Sequence, residues 1–353
     1  MNHSDVIVYA SDLNSNTGEG TLGRLYIEKL LLNKKKNLKI FIKTSNKEYF
    51  YRGYFKNSSI DNQKNFHHKY LTPLLGAIKI RFSSKKYKIV FVNYLPLWNF
   101  FLFLLLPKRT ILGPITGSDF INNVNNFNFF IRKYLFPLFY KISLFIIKNK
   151  FKNIIFSTDL LKNTVKKNVK KHLRDNYLYD FVFCYFQKKL KYINKYKNRK
   201  YKILFYNKNH ITKKNDNLIA FINKISKNYK INIVGDKLEN KKFNNLGYLT
   251  KERLNIVLKQ TKFVLSSNEN LLSLFNIEAI NNGVIIIYDK TSSLNNKKNY
   301  IPFIGLDFNK KNIVLFVNNL FNSYQKLKFS RKFDSEISKK QKKILIFMKR
   351  FYF

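Results

Sequence analysis

The sequence predicts an α/β protein made of two Rossmann-like halves of similar size. Three observations predict it. Short β-rich apolar runs alternate with helical stretches, which is the signature of parallel sheets wrapped by helices. The series of strands restarts near Tyr201, a little past the middle of 353 residues. Hydrophobic residues make up 45% of the chain, enough to bury a core in each half at roughly 100–200 residues per domain. Two such halves facing each other leave a cleft at the C-terminal ends of both sheets, where α/β folds bind ligands.

In the first half the pattern places strands at residues 6–10, 38–43, 89–93, 110–112 and 153–157, with helices at 22–32 and 128–148. Residues 164–200 are rich in Lys and Tyr and read as a late segment of the first domain plus a connection. The second half has strands at 202–206, 231–234, 263–266 and 284–288, and helices at 215–228, 250–259 and 273–282. The last segment reads as helices with a basic surface. Domain boundaries follow at 1–198, 199–325 and 326–353.

The charge is extreme, +47 from 67 Lys plus Arg against 20 Asp plus Glu. A nucleic-acid footprint is one reading of it. The composition favours another. Lys, Asn, Ile, Phe and Tyr are abundant, Asn at about one residue in eight, and AT-rich codons encode all of them. The cations are overwhelmingly Lys and spread along the chain, whereas phosphate and base recognition favours the planar fork of Arg. No specific nucleic-acid partner is expected.

A single cysteine, Cys184, excludes a disulfide framework and a Cys-based zinc site. His67 and His68 have no second ligand cluster, so no metal is expected. The N-terminus goes straight into a strand without a basic leader, which predicts a cytoplasmic chain. Apolar stretches at 95–106 and 135–147 are shorter than the roughly 20 residues a membrane span needs. They read as buried helices. The alternative is an interfacial patch where aromatics and lysines alternate, touching the inner face of an anionic membrane.

The strongest local signal is SNENLLSLFNIEAINNGVIIIYD, residues 267–289, lying between two strands. Ser273 is a plausible N-cap, and the first turn of its helix offers free N–H groups and the positive dipole end to an anion. Glu278 lies one to two turns further on, within reach of the ribose of a nucleotide whose phosphates sit on that N-terminus. A carboxylate accepts hydrogen bonds from two neighbouring hydroxyls.

Here the chain resembles the GT-B glycosyltransferases of the group 1 (family 4-like) type. Their signature is a loop Glu, seven residues, a second Glu followed by Ala, then a Gly before the next strand. Glu278, Ala279 and Gly283 match its second half. The resemblance implies donor-ribose binding by Glu278. The family's first Glu, which contacts the donor sugar, falls on Asn270, with Glu269 one position away. Leu271, Leu272 and Ser273 stand where the family has a Gly-rich turn, leaving backbone N–H groups to hold a diphosphate.

KILFYNKNHITKKNDNL, residues 202–218, resembles the family's first C-terminal strand, which ends in Gly-Arg with a Lys some five residues later. The resemblance carries those cations, which neutralise the leaving diphosphate, to Lys208 and Lys213, with Lys214 competing and Asn207 in place of Gly. Val234, Gly235 and Asp236 end a strand as the family's segment does. The family continues with a short strand, a Gly, a helix and another strand. NLGYLT, residues 245–250, then sits at the loop flanking the base. Tyr248 or Leu249 stacks on the base or simply anchors the loop.

Near the N-terminus, Thr17, Gly18, Glu19 and Gly20 lie between the first strand and the first helix, at the family's Gly-rich phosphate and acceptor loop. They do not form the six-residue dinucleotide fingerprint. Glu19 is an acceptor contact or base, or else a cap. ILGPITGSDF, residues 111–120, offers Thr116, Ser118 and Asp119 to acceptor hydroxyls, Asp119 being equally an N-cap.

The resemblance implies transfer of a sugar from a nucleotide-sugar donor to a glycan or lipid-linked acceptor, retaining and independent of metal or other cofactor. Its setting would be cell-surface polysaccharide or lipopolysaccharide assembly. It also implies that the C-terminal helix crosses back to the first domain. Two other readings stand beside it: a catalytically degenerate GT-B nucleotide-binding protein, and a basic nucleic-acid-binding protein.

Overall fold

The structure is a computed structural model. It describes residues 6–10, 13, 18–32, 40–43, 48–50, 71–82, 88–92, 97, 99–115, 134–162, 165, 177–187, 199–207, 216–266, 270–291 and 300–352. The chain divides into two compact units, Met1–Cys184 with Lys340–Phe353, and Tyr185–Lys339.

In the first unit the strands are β1 (Val6–Tyr9), β2 (Ile40–Lys43), β3 (Glu48–Phe50), β4 (Lys88–Phe91), β5 (Ile111–Ile115), β6 (Ile154–Phe156) and β7 (Tyr177–Leu178). They form one sheet in the order β3-β2-β1-β4-β5-β6-β7. Every pairing is parallel except β2 with β3. Val6, Ile7, Val8 and Tyr9 are all buried, as expected of a strand covered on both faces. Helix α1 (Gly18–Leu32) follows β1. Helices α2 (Thr72–Arg81), α3 (Phe100–Leu105) and α4 (Phe136–Lys150) share one core with the sheet. Ala77 and Ile80, Leu102 and Phe103, and Leu144 and Ile147 meet Ile89, Phe91, Leu112 and Ile154 there. Lys150 Nζ donates to the carbonyls of Phe103 (3.0 Å) and Leu104 (2.6 Å), capping the C-terminus of α3.

The second unit holds β8 (Tyr201–Asn207), α5 (Asp216–Ile225), β9 (Ile231–Gly235), β10 (Phe243–Gly247), α6 (Lys251–Lys259), β11 (Thr261–Leu265), α7 (Leu274–Asn281), β12 (Ile285–Asp289), β13 (Phe303–Leu306), α8 (Ile313–Asn322) and α9 (Arg331–Tyr352). Its sheet runs β10-β9-β8-β11-β12-β13 with every pairing parallel. Counted within the unit, that is the doubly wound order 3-2-1-4-5-6. The strand order reverses between β8 and β11, and doubly wound folds bind ligands at the C-terminal ends of the strands flanking such a reversal.

Helix α9 begins in the second unit and ends in the first, as the C-terminal crossing helix was expected to do. Its apolar stripe Phe333, Ile337, Ile344 and Met348 is buried. Lys340 takes the stripe's middle position and forms an ion pair with Asp180.

The nine predicted strands are all present. Several bounds differ. Helix α1 starts at Gly18 rather than residue 22, so Gly18, Glu19 and Gly20 form its first turn instead of a preceding loop. Strand β5 continues through Gly113 and Pro114 to Ile115, with an irregular register against β6 at that point. The described residues of the apolar stretches at 95–106 and 135–147 are buried on one side only: Leu102, Phe103, Leu144 and Ile147 lie in the core, while Phe101, Leu104, Leu138 and Phe145 are exposed. No helix among the described residues is long and apolar enough to cross a membrane.

Candidate nucleotide site

The C-terminal ends of β8, β9 and β11 and the start of α7 bring together most of the predicted donor residues. At β9 the chain turns at Gly235 with φ +99°, and a Cβ there would overlap the carbonyl oxygen of Asn207. Only glycine fits, because the left-handed backbone and the close approach of β8 both exclude a side chain. Asn207 stands where the resemblance expects a glycine. It uses its amide structurally: Nδ2 donates to Asp236 O at 3.0 Å, while Asp236 N donates to Asn207 O at 2.9 Å. The ends of the two strands are thereby clamped together.

Tyr248 follows β10 and is 69% exposed. Its hydroxyl donates to Asp236 Oδ1 at 2.6 Å, so the ring is tethered at its tip and open on its faces. That hydrogen bond raises the phenol pKa to about 12, since a proton donated to a carboxylate is harder to remove. Leu249 is half-buried beside it. Removing the carboxylate by Asp236→Asn is expected to return Tyr248 toward the ordinary value of about 10. The check is tyrosinate absorbance against pH, with Tyr248→Phe subtracted in each background. An unchanged titration would show that Asp236 does not hold the ring.

Ser273 caps α7 as expected, its Oγ accepting from Asn276 N at 3.2 Å. The loop before it is held from within. Asn270 Oδ1 accepts from Leu272 N at 2.9 Å, and Asn270 O accepts from Ser273 N at 3.1 Å. Buried Asn276 donates Nδ2 to Ser266 Oγ (2.8 Å) and Leu271 O (3.2 Å), tying the loop to the end of β11. Leu271 and Leu272 are buried, so these two contribute backbone rather than side chains. With Asn276 N taken by the cap, Leu274 and Phe275 are the first-turn N–H groups without an intrahelical acceptor. The Phe275 ring stacks on Tyr206 from the end of β8, centroids 5.0 Å apart.

Glu278 lies at the fifth position of α7, half-buried. The hydroxyl of Tyr185 donates to its Oε1. The same helix grips the backbone around Tyr185. Asn281 Nδ2 donates to Tyr185 O at 2.9 Å, and Asn281 Oδ1 accepts from Gln187 N at 3.0 Å. Tyr185 is the functional candidate that sequence reasoning missed. The helix ends in a Schellman motif: Gly283 N donates to Ile280 O (2.8 Å) and Val284 N to Ala279 O (3.0 Å), with Gly283 at φ +74°. This gives the matched Gly283 and the fully buried Ala279 structural work.

Lys208, Lys213, Glu269, Thr116, Ser118 and Asp119 lie outside the described residues, as do Thr17 and Lys214. Gly18, Glu19 and Gly20 belong to the first unit. Gly18 is exposed and Gly20 buried, and the Glu19 side chain is not among those described. Among the described residues, no group of three or more His, Cys, Asp or Glu is placed to hold a metal ion.

Comparison with solved structures places this architecture among known folds. HepE from Anabaena, solved in complex with UDP and glucose, aligns over 96% of this chain and 98% of its own length, with TM-score 0.52 and 9% identity. MnaA from S. aureus, solved with UDP, aligns over 91% and 89% with TM-score 0.46 and 10% identity. The E. coli heptosyltransferase WaaC, solved with ADP, aligns over 91% and 99% with TM-score 0.35 and 10% identity. No protein-family model matches the chain, and no curated protein matches it in sequence. The likeness is one of fold: two Rossmann-like units with a C-terminal helix returning to the first, the GT-B fold.

Proposed function

We propose that the chain is a glycosyltransferase that takes its sugar from a nucleotide-sugar donor bound by the second unit. One observation carries the reading. At the C-terminal end of the switch strands, a capped helix start stands one to two turns from a carboxylate already held by a tyrosine hydroxyl. In this reading Leu274 and Phe275 N–H meet the diphosphate, Glu278 takes the ribose hydroxyls, and Tyr248 offers its open ring to the base. HepE, the solved structure with TM-score 0.52, was determined with UDP and glucose, which supports a sugar nucleotide as the ligand class.

The finer assignments extend the same reading. Lys208 directly follows β8 and Lys213 lies five residues on, and both neutralise the leaving diphosphate without a metal or other cofactor. Glu19, Thr116, Ser118 and Asp119 serve a glycan or lipid-linked acceptor. The sugar is transferred with retention, in cell-surface polysaccharide or lipopolysaccharide assembly on the cytoplasmic side of a membrane.

A second reading has its own observation. Asn270 stands where the resemblance expects a sugar-binding Glu, and its Oδ1 is engaged by Leu272 N. A degenerate protein that binds nucleotide without transferring sugar is consistent with that. A thermal-shift screen of UDP, GDP and ADP sugars separates the readings. A true donor at 100 times its Kd adds about 2.7 kcal/mol to native stability, so at about 2–4 °C per kcal/mol a rise of roughly 5–11 °C is expected. Binding with release of nucleoside diphosphate supports transfer, and binding without it supports the degenerate form. No shift across the panel, with tight nucleic-acid binding that persists at physiological salt, would favour a basic nucleic-acid-binding protein instead.

A further inference from the structure

We infer that the outer face of α2, α3 and α4 is a docking surface for an anionic lipid bilayer. The three helices bury one side against the first sheet. Their other side is unusually apolar for a surface in contact with water. Leu75 (58%), Ile78 and Phe82 (82%) are exposed on α2 and its C-cap. Phe101 (58%) and Leu104 are exposed on α3, and Leu138 and Phe145 (65%) on α4. The residues follow helical spacing. Positions 75, 78 and 82 fall on one stripe of α2, and 138 and 145 on one stripe of α4. In the second unit the exposed large apolar residues are scattered over several elements, as is normal for a soluble surface.

Cations stand among these apolar side chains. Lys79 and Arg81 are exposed on α2, and Lys141 falls on the same stripe of α4 as Leu138 and Phe145. None of the three helices contains Asp or Glu. Positive charge alone would not single this face out, because the whole chain is basic. Large apolar side chains interleaved with unpaired-sign cations do. Protein interfaces are depleted of Lys, whereas a bilayer surface accepts it. Phe and Leu enter the acyl boundary while long basic side chains reach anionic headgroups. The charge complementarity therefore commits the face to anionic lipid rather than to a protein. This gives the membrane-side setting of the proposed function a named surface, but it does not need sugar transfer to be correct.

The test uses the full chain and no nucleotide. Flotation is measured with vesicles of phosphatidylcholine containing about a third phosphatidylglycerol, and with phosphatidylcholine alone, at physiological salt. The wild-type chain is expected to float with the anionic vesicles. Phe82→Ser/Phe101→Ser/Phe145→Ser keeps every charge and is expected to bind about tenfold more weakly or worse. Leu315→Ser/Phe316→Ser, two exposed apolar residues on α8, is expected to bind like wild type. Circular dichroism melts confirm that the variants fold. Equal binding by the triple variant, equal loss in the α8 variant, or no wild-type binding to anionic vesicles overturns the inference. So does a wild-type dimer that the triple variant dissolves without any vesicle binding, which would make the face a contact between copies. Failure of the nucleotide screen would leave all these readouts standing.

Discussion

Glu278→Ala is expected to weaken nucleoside diphosphate binding by roughly 100-fold while barely changing the melting temperature. The carboxylate is half-buried on α7, and Tyr185 already donates to one of its oxygens. In the proposed donor complex a ribose presents two hydroxyls to it. Hydrogen bonds to a charged acceptor contribute about 1.5–3 kcal/mol each, and partial replacement by water brings the pair to about 3 kcal/mol. At 1.4 kcal/mol per factor of ten, that is the stated loss. Tyr185→Phe keeps the carboxylate and removes the group that orients it, so about tenfold is expected. The decisive measurement compares a ribonucleoside diphosphate with its 2′,3′-dideoxy analogue by calorimetry. If Glu278 holds the diol, the substitution weakens the first ligand and leaves the second nearly unaffected. An equal loss for both analogues would assign Glu278 to the fold, and no loss for either would remove it from the site.

Much of this site was legible before the structure, and the reasons are local. Ser273 announces a helix start because an N-cap needs a short side-chain acceptor. Gly283 announces its end because the left-handed position excludes a Cβ. The spacing from Ser273 to Glu278 follows from helix pitch alone. Tyr185 was not legible. It lies 93 residues before Glu278, is one of 23 tyrosines, and carries no pattern of its own. Only the tertiary fold brings the two together. Asn207 shows the opposite case: it stands where the resemblance expects a glycine, and the structure gives it a role as a clamp between β8 and β9.

The strands divide in the same way. The nine found from apolar patterning are the nine interior strands of the two sheets. The four not found, β3, β7, β10 and β13, are the four sheet edges. An interior parallel strand is covered on both faces and must be an apolar run, as IIIYD in β12 is. An edge strand has one neighbour and no such requirement. The residues of β10, FNNLG, are half-buried throughout, and its asparagines hydrogen-bond to neighbours in place of an apolar face. Hydrophobic periodicity therefore reads sheet centres and is nearly blind to their borders.

The second large effect is expected at Arg199, one of only ten arginines in a chain whose cations are otherwise lysines. In so lysine-rich a chain, a buried Arg that reaches several carbonyls at once has a geometry that an ammonium cannot supply. Arg199 is 5% exposed, and its guanidinium donates to backbone carbonyls. Nη1 reaches Leu258 O at 3.3 Å and also Thr261 O, while Nη2 reaches Asn282 O at 2.9 Å. Leu258 O and Asn282 O lie at the C-terminal ends of α6 and α7, where the helix dipole favours a cation, and Thr261 O lies at the start of β11. The planar fork joins both helix ends to the start of β11. Arg199→Met leaves these buried acceptors without their donor, at about 1–3 kcal/mol for each unsatisfied group. Allowing for relaxation, the net loss is about 3 kcal/mol, or roughly 6–12 °C in melting temperature at about 2–4 °C per kcal/mol for a unit of this size. Arg199→Lys keeps the charge but concentrates its donors at one point, which cannot span carbonyls on two helices, so it should recover less than half of the loss. Hydrogen exchange localises the effect: amides of α6 and α7 should lose protection before those of the first sheet. Wild-type melting by Arg199→Lys would mean that charge at these helix ends is sufficient and the fork is not what joins them.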